Sequence, residues 1–295
     1  MFHVEQSHNS MKIITLIVLH LIATTSFLAH GQAVPGMPPE KVTTVFGQNI
    51  HYYEAGHGPA VILLHGLAVD GTLWAANFAP LAAKYHVYAP DQIGFGHSDK
   101  PLMDYRVATF VDFLDGFMQS QMIAKASLVG NSLGGWIAIE FALQHPEKVD
   151  KLVLVDAAGL PFDQPSLGDL NTSSLAATRT LLQTIYYNKQ FVTDELVRQV
   201  FIGHLGNNDG YTTQRTMAGF AAPGQFEDAK KLAAIHAPTL VIWGKNDELI
   251  PAAKGEQLHQ WITGSKYVVF DQCGHVPLQE KPDEFNLLVA EFLGQ

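Results

Sequence analysis

The chain has 295 residues, 47% of them hydrophobic and 16% charged, and a formal net charge of −10. That apolar share excludes a disordered chain, and the length suits one large core or a core with a small insertion. The acidic balance argues against nucleic acid and anionic membrane surfaces as partners.

Residues 1–33 read as a targeting segment. Lys12 supplies the positive start, and Ile13 to Ala29 is mostly apolar, although His20, Thr24, Thr25 and Ser26 interrupt it. Gly31-Gln32-Ala33 puts small residues at −3 and −1 of a cleavage site. The pattern predicts a signal peptide, and a periplasmic or secreted mature chain that begins near Val34 and has no stable membrane insertion. The alternative is a membrane anchor made by the same segment, which is at the short end for spanning. Cys273 is the only cysteine. No intramolecular disulfide can form, so the core alone must hold the fold, and a buried, inert thiol is expected.

After a Pro-rich linker, Val34 to Pro39, the β-rich runs Val42 to Phe46 and Ile50 to Glu54 flank Gly47-Gln48-Asn49 and predict a hairpin. Strands and helices then alternate. Strands are expected at Ala60 to Leu64, His86 to Ala89, Ser127 to Val129 and Leu152 to Val155. Between and after them, helical spacing covers Trp74 to Lys84, Val107 to Met122 and Leu133 to Gln144. Toward the C-terminus come strands Thr239 to Trp243 and Tyr267 to Phe270, with helices Ala252 to Trp261 and Asp283 to Phe292. Short apolar strands alternating with amphipathic helices predict an α/β fold: a mostly parallel, eight-stranded sheet covered on both faces. Ligands in such sheets sit at the carboxyl ends of the strands. From about Leu160 to Leu232 the alternation stops. Helical stretches near Leu175 to Tyr187, Asp194 to Leu205 and Tyr211 to Phe220 predict a lid. The expected division is 34–159 and 233–295 for the core and 160–232 for the lid.

Gly130-Asn131-Ser132-Leu133-Gly134 lies between a strand and a helix. This is the nucleophile-elbow pattern, whose glycines allow a turn that a Cβ would block. It sets Ser132 beside the N-terminus of a helix, where negative charge is favoured. A serine nucleophile needs a base, and the base needs an orienting acid. His275, just past the strand ending at Phe270, is the candidate base. Asp247, after the strand ending at Trp243, is the candidate acid, with Asp156 and Glu248 as alternatives. The order Ser, acid, His suits this fold. Oxyanion donors are expected from the backbone N–H of Leu133 and of Leu67, in the loop His65-Gly66-Leu67-Ala68. His65 is read as a buried hydrogen-bonding residue, and Asp91 to Ser98 as scaffold beneath the site. Neither a metal site nor a dinucleotide-binding pattern is evident, so no cofactor is expected.

These motifs resemble the α/β-hydrolase superfamily in its lidded branch, over nearly the whole chain from about Val42. That branch includes carboxylesterases, carbon–carbon bond hydrolases of ring-cleavage products, haloalkane dehalogenases and epoxide hydrolases. Ser132 stands where the last two carry Asp, which excludes their mechanism. The run Gly130 to Trp136 is similar to the elbow of the carbon–carbon bond hydrolases. Those enzymes usually carry Trp after the catalytic histidine, whereas this chain has Val276. They also use a lid arginine for the substrate carboxylate, for which Arg179, Arg198 and Arg215 are candidates. The resemblance implies a serine hydrolase of small, largely apolar carboxylic esters working through an acyl-enzyme. The alternatives are carbon–carbon, lactone or peracid chemistry with the same triad, or a ligand-binding pseudoenzyme.

Overall fold

The computed structural model describes residues 34–161, 172, 174–220 and 226–295. The expected signal peptide, and residues 162–171, 173 and 221–225 of the expected lid, lie outside the described residues.

Strands β1 (Glu40–Val45) and β2 (Gln48–Ala55) form the expected hairpin. Behind them come β3 (Ala60–Leu64), α1 (Ala75–Ala82), β4 (His86–Pro90), α2 (Val107–Ser120), β5 (Ala126–Asn131), α3 (Leu133–Gln144) and β6 (Val149–Val155). After an insertion the chain resumes with α7 (Ala229–Leu232), β7 (Thr239–Gly244), α8 (Ala253–Trp261), β8 (Lys266–Phe270), α9 (Pro277–Glu280) and α10 (Pro282–Leu293). One eight-stranded sheet has the order β1-β2-β4-β3-β5-β6-β7-β8. Among the described residues only the pairs β1–β2 and β2–β4 are antiparallel.

Alternation along the central strands divides the core in two. Ile62, Leu64, Leu128 and Leu154 face a layer with α2 and α3, where Phe110, Phe117, Trp136 and Phe141 are buried. Val61, Leu63, Val129 and Val155 face the other layer with α1 and α10, against Phe78, Phe285 and Val289. Both sheet faces are covered, which is why these strands are continuously apolar. Helix α3 is buried on most sides, from Leu133 to Ala142, because it packs on the sheet below α2.

The insertion between β6 and β7 is helical: α4 (Leu175–Ile185), α5 (Asp194–Asn207) and α6 (Gly210–Phe220). Its ends follow local chemistry. Ser174 and Thr193 cap α4 and α5 by accepting from the N–H groups of Ala177 and Leu196, and Asp194 and Glu195 favour the positive end of α5. Leu182, Tyr186, Val192, Leu196 and Val197 make a separate apolar cluster closed by Val276. The lid therefore packs onto the residue directly after His275.

Candidate active site

Ser132 follows β5 directly and adopts φ 53°, ψ −117°. A non-glycine residue held there is strained, and surrounding structure must enforce it. The two flanking glycines allow that. A methyl at Gly130 would overlap the Gly134 carbonyl, and one at Gly134 would overlap the carbonyls of Leu64 and His65. The elbow is thereby pressed against the end of β3. The Gly66 loop lies beside the nucleophile, since a methyl on Gly66 would stand 3.4 Å from Ser132 Cβ. Leu133 heads α3, where helix N–H groups lack intrahelical partners. Gly66, Leu67, Ser132 and Leu133 all line one cavity.

His275 is buried, and its Nδ1 lies 2.7 Å from Asp247 Oδ2. Asp247 Oδ1 accepts from the N–H groups of Leu249 and Ile250 at 2.8 and 2.9 Å. These contacts at both oxygens fix the orientation of the carboxylate. His275 Nε2 is buried with no hydrogen-bond partner among the described residues, and His275 and Ser132 line the same cavity.

Asp156, the alternative acid, stands behind this pair. Its Oδ1 accepts from Gly244 N–H at 2.8 Å, and Oδ2 has no partner among the described residues. Ligand atoms of Asp156, Asp247 and His275 lie within 4.8 Å of one another. Burial first, and then the charge of Asp247, push the Asp156 carboxyl well above its usual range. Burial and the neighbouring carboxylate thus favour the neutral form of Asp156. Glu248, the other alternative, points elsewhere and pairs with Lys189 at 3.3 Å.

The remaining expectations fall as follows. His65 is fully buried, with Nδ1 2.7 Å from the Gly66 carbonyl and Nε2 accepting from Gln92 N–H at 2.9 Å. Burial pushes its pKa down to about 4, so the ring is neutral and holds the loop that carries Leu67. Asp91 accepts from the N–H groups of Gly71 and His97, both at 2.8 Å, as scaffold. Cys273 is buried, and burial raises its thiol pKa, which keeps it protonated and inert. The three lid arginines do not line the cavity. Arg179 pairs with Asp194, Arg215 pairs with Asp104, and Arg198 is exposed.

Four groups escaped the sequence reading. Asn131 Nδ2 donates to the Val155 and His275 carbonyls, both at 3.2 Å, and so ties the elbow to the histidine loop. Glu280 accepts from the N–H groups of Gly274, Tyr187 and Asn188, joining that loop to the lid. Trp136 Nε1 donates to Glu227 Oε1 at 3.1 Å, and its ring stacks on Phe226. His204 of α5 lines the cavity, with Nδ1 3.1 Å from the buried Asp209 carboxylate. Asn131 and Trp136 had a nearby signal, their place in the elbow run Gly130 to Trp136.

The cavity itself is about 150 Å³, a size at which an apolar void can hold one benzene ring. Leu181, Leu182, Ile185, Phe220, Phe226 and Val276 supply much of its wall. A buried imidazole–carboxylate pair facing the same cavity as a strained elbow serine defines a serine hydrolase of the α/β class. The chain belongs to the alpha/beta hydrolase fold family, whose profile matches residues 59–282. A 2-hydroxy-6-oxo-6-phenylhexa-2,4-dienoate hydrolase of Comamonas testosteroni is 34% identical over 261 residues, covering 83% of this chain and 91% of that protein. The solved meta-cleavage product hydrolase of Pseudomonas fluorescens IP01 is 32% identical with a TM-score of 0.78, over 88% of this chain and 98% of its own. A bacterial membrane phospholipase A is 26% identical with a TM-score of 0.76, over 97% of this chain and 91% of its own.

Proposed function

We propose that this serine hydrolase cleaves a carbon–carbon bond next to a carbonyl, the reaction for which its dienoate and meta-cleavage relatives are named. Ser132 is the nucleophile, His275 the base and Asp247 its orienting acid. The observation that carries the assignment is His275, clamped by Asp247 at Nδ1 and, among the described residues, unpartnered at Nε2 on the cavity shared with Ser132.

In the first half-reaction Ser132 Oγ adds to the carbonyl carbon and its proton passes to His275 Nε2. The Leu67 and Leu133 N–H groups receive the oxyanion; losing one such donor costs roughly 10²–10³ in rate. Collapse expels the leaving group, which takes the proton from His275 and leaves an acyl-Ser132. A carbon leaving group must delocalise its electron pair, as a carbon joined through a C=C bond to a second ketone does. A 2-hydroxydienoate therefore first moves its enol proton onto the chain to become the 2-keto tautomer, and the expelled fragment leaves as the dienolate. Water, deprotonated by His275, then releases the acid. The one-ring space beside Ser132 suits an aromatic or short alkyl acyl arm. His204 is the titratable wall group outside the triad among the described residues, so the substrate's distal polar group is placed there.

A neutral ester is the second reading, because the described cavity wall offers no Lys or Arg to a carboxylate. The two are separated by comparing 2-hydroxy-6-oxo-6-phenylhexa-2,4-dienoate with p-nitrophenyl butyrate on the wild type and Ser132→Ala. A far higher kcat/KM for the dienoate, lost in the variant, supports the first reading. Preference for the ester supports the second, and full activity of Ser132→Ala on both removes the triad. We also take residues 1–33 as an export signal. N-terminal sequencing of the mature chain, with a start near Val34 expected, tests that.

A further inference from the structure

Away from the active site, at the antiparallel margin of the sheet, three side chains converge from three segments. Glu40 opens β1, His51 lies in β2 opposite Val42, and His97 belongs to the loop after β4. Glu40 Oε1 lies 2.7 Å from His97 Nδ1, and Oε2 lies 3.2 Å from His51 Nδ1. The two imidazoles meet edge to face with centroids 5.8 Å apart. One donor atom from each residue lies within 4.8 Å of the other two. His51 Nδ1 is itself buried, and its approach to the carboxylate is not angled as a hydrogen bond.

We propose that Glu40, His51 and His97 form a binding site for a divalent transition ion of the zinc class. Two imidazole nitrogens and a carboxylate oxygen are a donor set that zinc accepts, at bond lengths of about 2.0–2.2 Å. A tetrahedron with those bonds sets neighbouring donors about 3.3 Å apart. Glu40 meets the two nitrogens through different oxygens, at 2.7 and 3.2 Å. The carboxylate must therefore turn to share one oxygen or bind through both, and the donor atoms, all within 4.8 Å of one another, must close in on the ion. Calcium and magnesium are disfavoured, since both want more oxygen ligands than this cluster supplies. The frame is already fixed without an ion. His51 N–H donates to Ser98 Oγ at 3.0 Å, and the His51 carbonyl accepts from Asp91 N–H at 2.9 Å. His97 N–H donates to Asp91 Oδ2 at 2.8 Å. With the side chains 21–30% exposed, water can take the fourth position. The ion would clip β1, β2 and the β4 loop together in a chain whose single cysteine allows no internal disulfide.

The test uses the tag-free full chain, stripped with chelator, and zinc sulfate alone. Competition against a zinc dye should show one saturable equivalent in the wild type. His51→Ala and His97→Ala should each weaken it by at least about tenfold. Both variants should keep wild-type turnover of p-nitrophenyl butyrate in metal-free buffer, which reports an intact fold. His275→Ala, in the other His–carboxylate cluster, should keep the wild-type zinc affinity. No saturable binding, unchanged affinity in both variants, or loss of binding in His275→Ala overturns the proposal. Should a variant fail to fold, X-ray absorption of the zinc-loaded wild type decides: two imidazoles with oxygen ligands are expected, and any shell without two imidazoles refutes it.

Discussion

Asp247→Asn is the sharpest test of the proposed triad, because the structure dictates how the new amide must sit. Oδ1 receives two backbone N–H groups, from Leu249 and Ile250 at 2.8 and 2.9 Å. An asparagine therefore keeps its oxygen there and turns its NH₂ toward His275 Nδ1, where the carboxylate oxygen now stands at 2.7 Å. That NH₂ donates to Nδ1, so the imidazole proton moves to Nε2. The nitrogen facing the cavity can no longer accept the Ser132 proton. In a well-studied Ser-His-Asp protease the equivalent change lowers kcat by about 10⁴, which corresponds to about 5 kcal/mol of barrier. A loss of that size is expected here with little change in Tm. Asp247→Ala leaves the ring free to choose its tautomer but without an orienting acid; in another Ser-His-Asp protease that loss costs about 3 × 10⁴ in kcat, and a loss of that order is expected here. The assay is the pre-steady-state release of p-nitrophenolate, which isolates acylation. Asp247→Asn within tenfold of wild type would refute the tautomer argument.

Gly134→Ala should destabilise the fold by about 1–3 kcal/mol, because its methyl meets the backbone of Leu64 and His65; wild-type urea stability would show that the elbow is not pressed against β3. Glu227 is pushed up to about 8, chiefly by burial, from an ordinary 4.5. A carboxyl whose folded pKa is raised contributes stability that is full below about pH 4.5 and is lost as pH climbs toward 8. Glu227→Gln keeps an acceptor for Trp136 Nε1 and stays neutral. Its stability should match wild type near pH 4 and exceed it by roughly 1–3 kcal/mol near pH 8, after discount for Lys231 at 3.4 Å. A difference that is constant with pH in thermal melts contradicts that assignment. His204→Leu should lower kcat/KM for a dienoate carrying a hydroxyl and a carboxylate, yet leave p-nitrophenyl butyrate within about threefold; equal losses on both substrates would mean that His204 does not read the distal group.

The sheet was legible because burial on both faces leaves no polar alternation to confuse. Leu152 to Val155 and Thr239 to Trp243 could only be central strands, and the structure extends them by a few residues to Val149–Val155 and Thr239–Gly244. The proposed triad of Ser132, Asp247 and His275 could be picked from the chain for a related reason. Each lies in a loop just beyond a strand's carboxyl end, so position within a short motif implied position in space. The groups that hold the triad were hidden, because their contacts span long stretches of chain. Glu280 reaches Tyr187 and Asn188 in the lid, and Asp156 looked like an alternative to Asp247, whereas the carboxylate at His275 Nδ1 in the structure is that of Asp247. The lid is where inference from pattern fails most. Its helices were visible from spacing, but nothing in the spacing says which side chain turns inward. Three arginines stood as candidates for a carboxylate, and the described ones pair with Asp194 or Asp104 or face solvent. The residue that does line the cavity, His204, is set there by Asp209, just past the αL turn at Asn208. Substrate choice in this fold is decided by such second contacts, whereas bond-breaking is decided by the strand ends. The first therefore had to be read from the packed structure, while the second could be read from the chain.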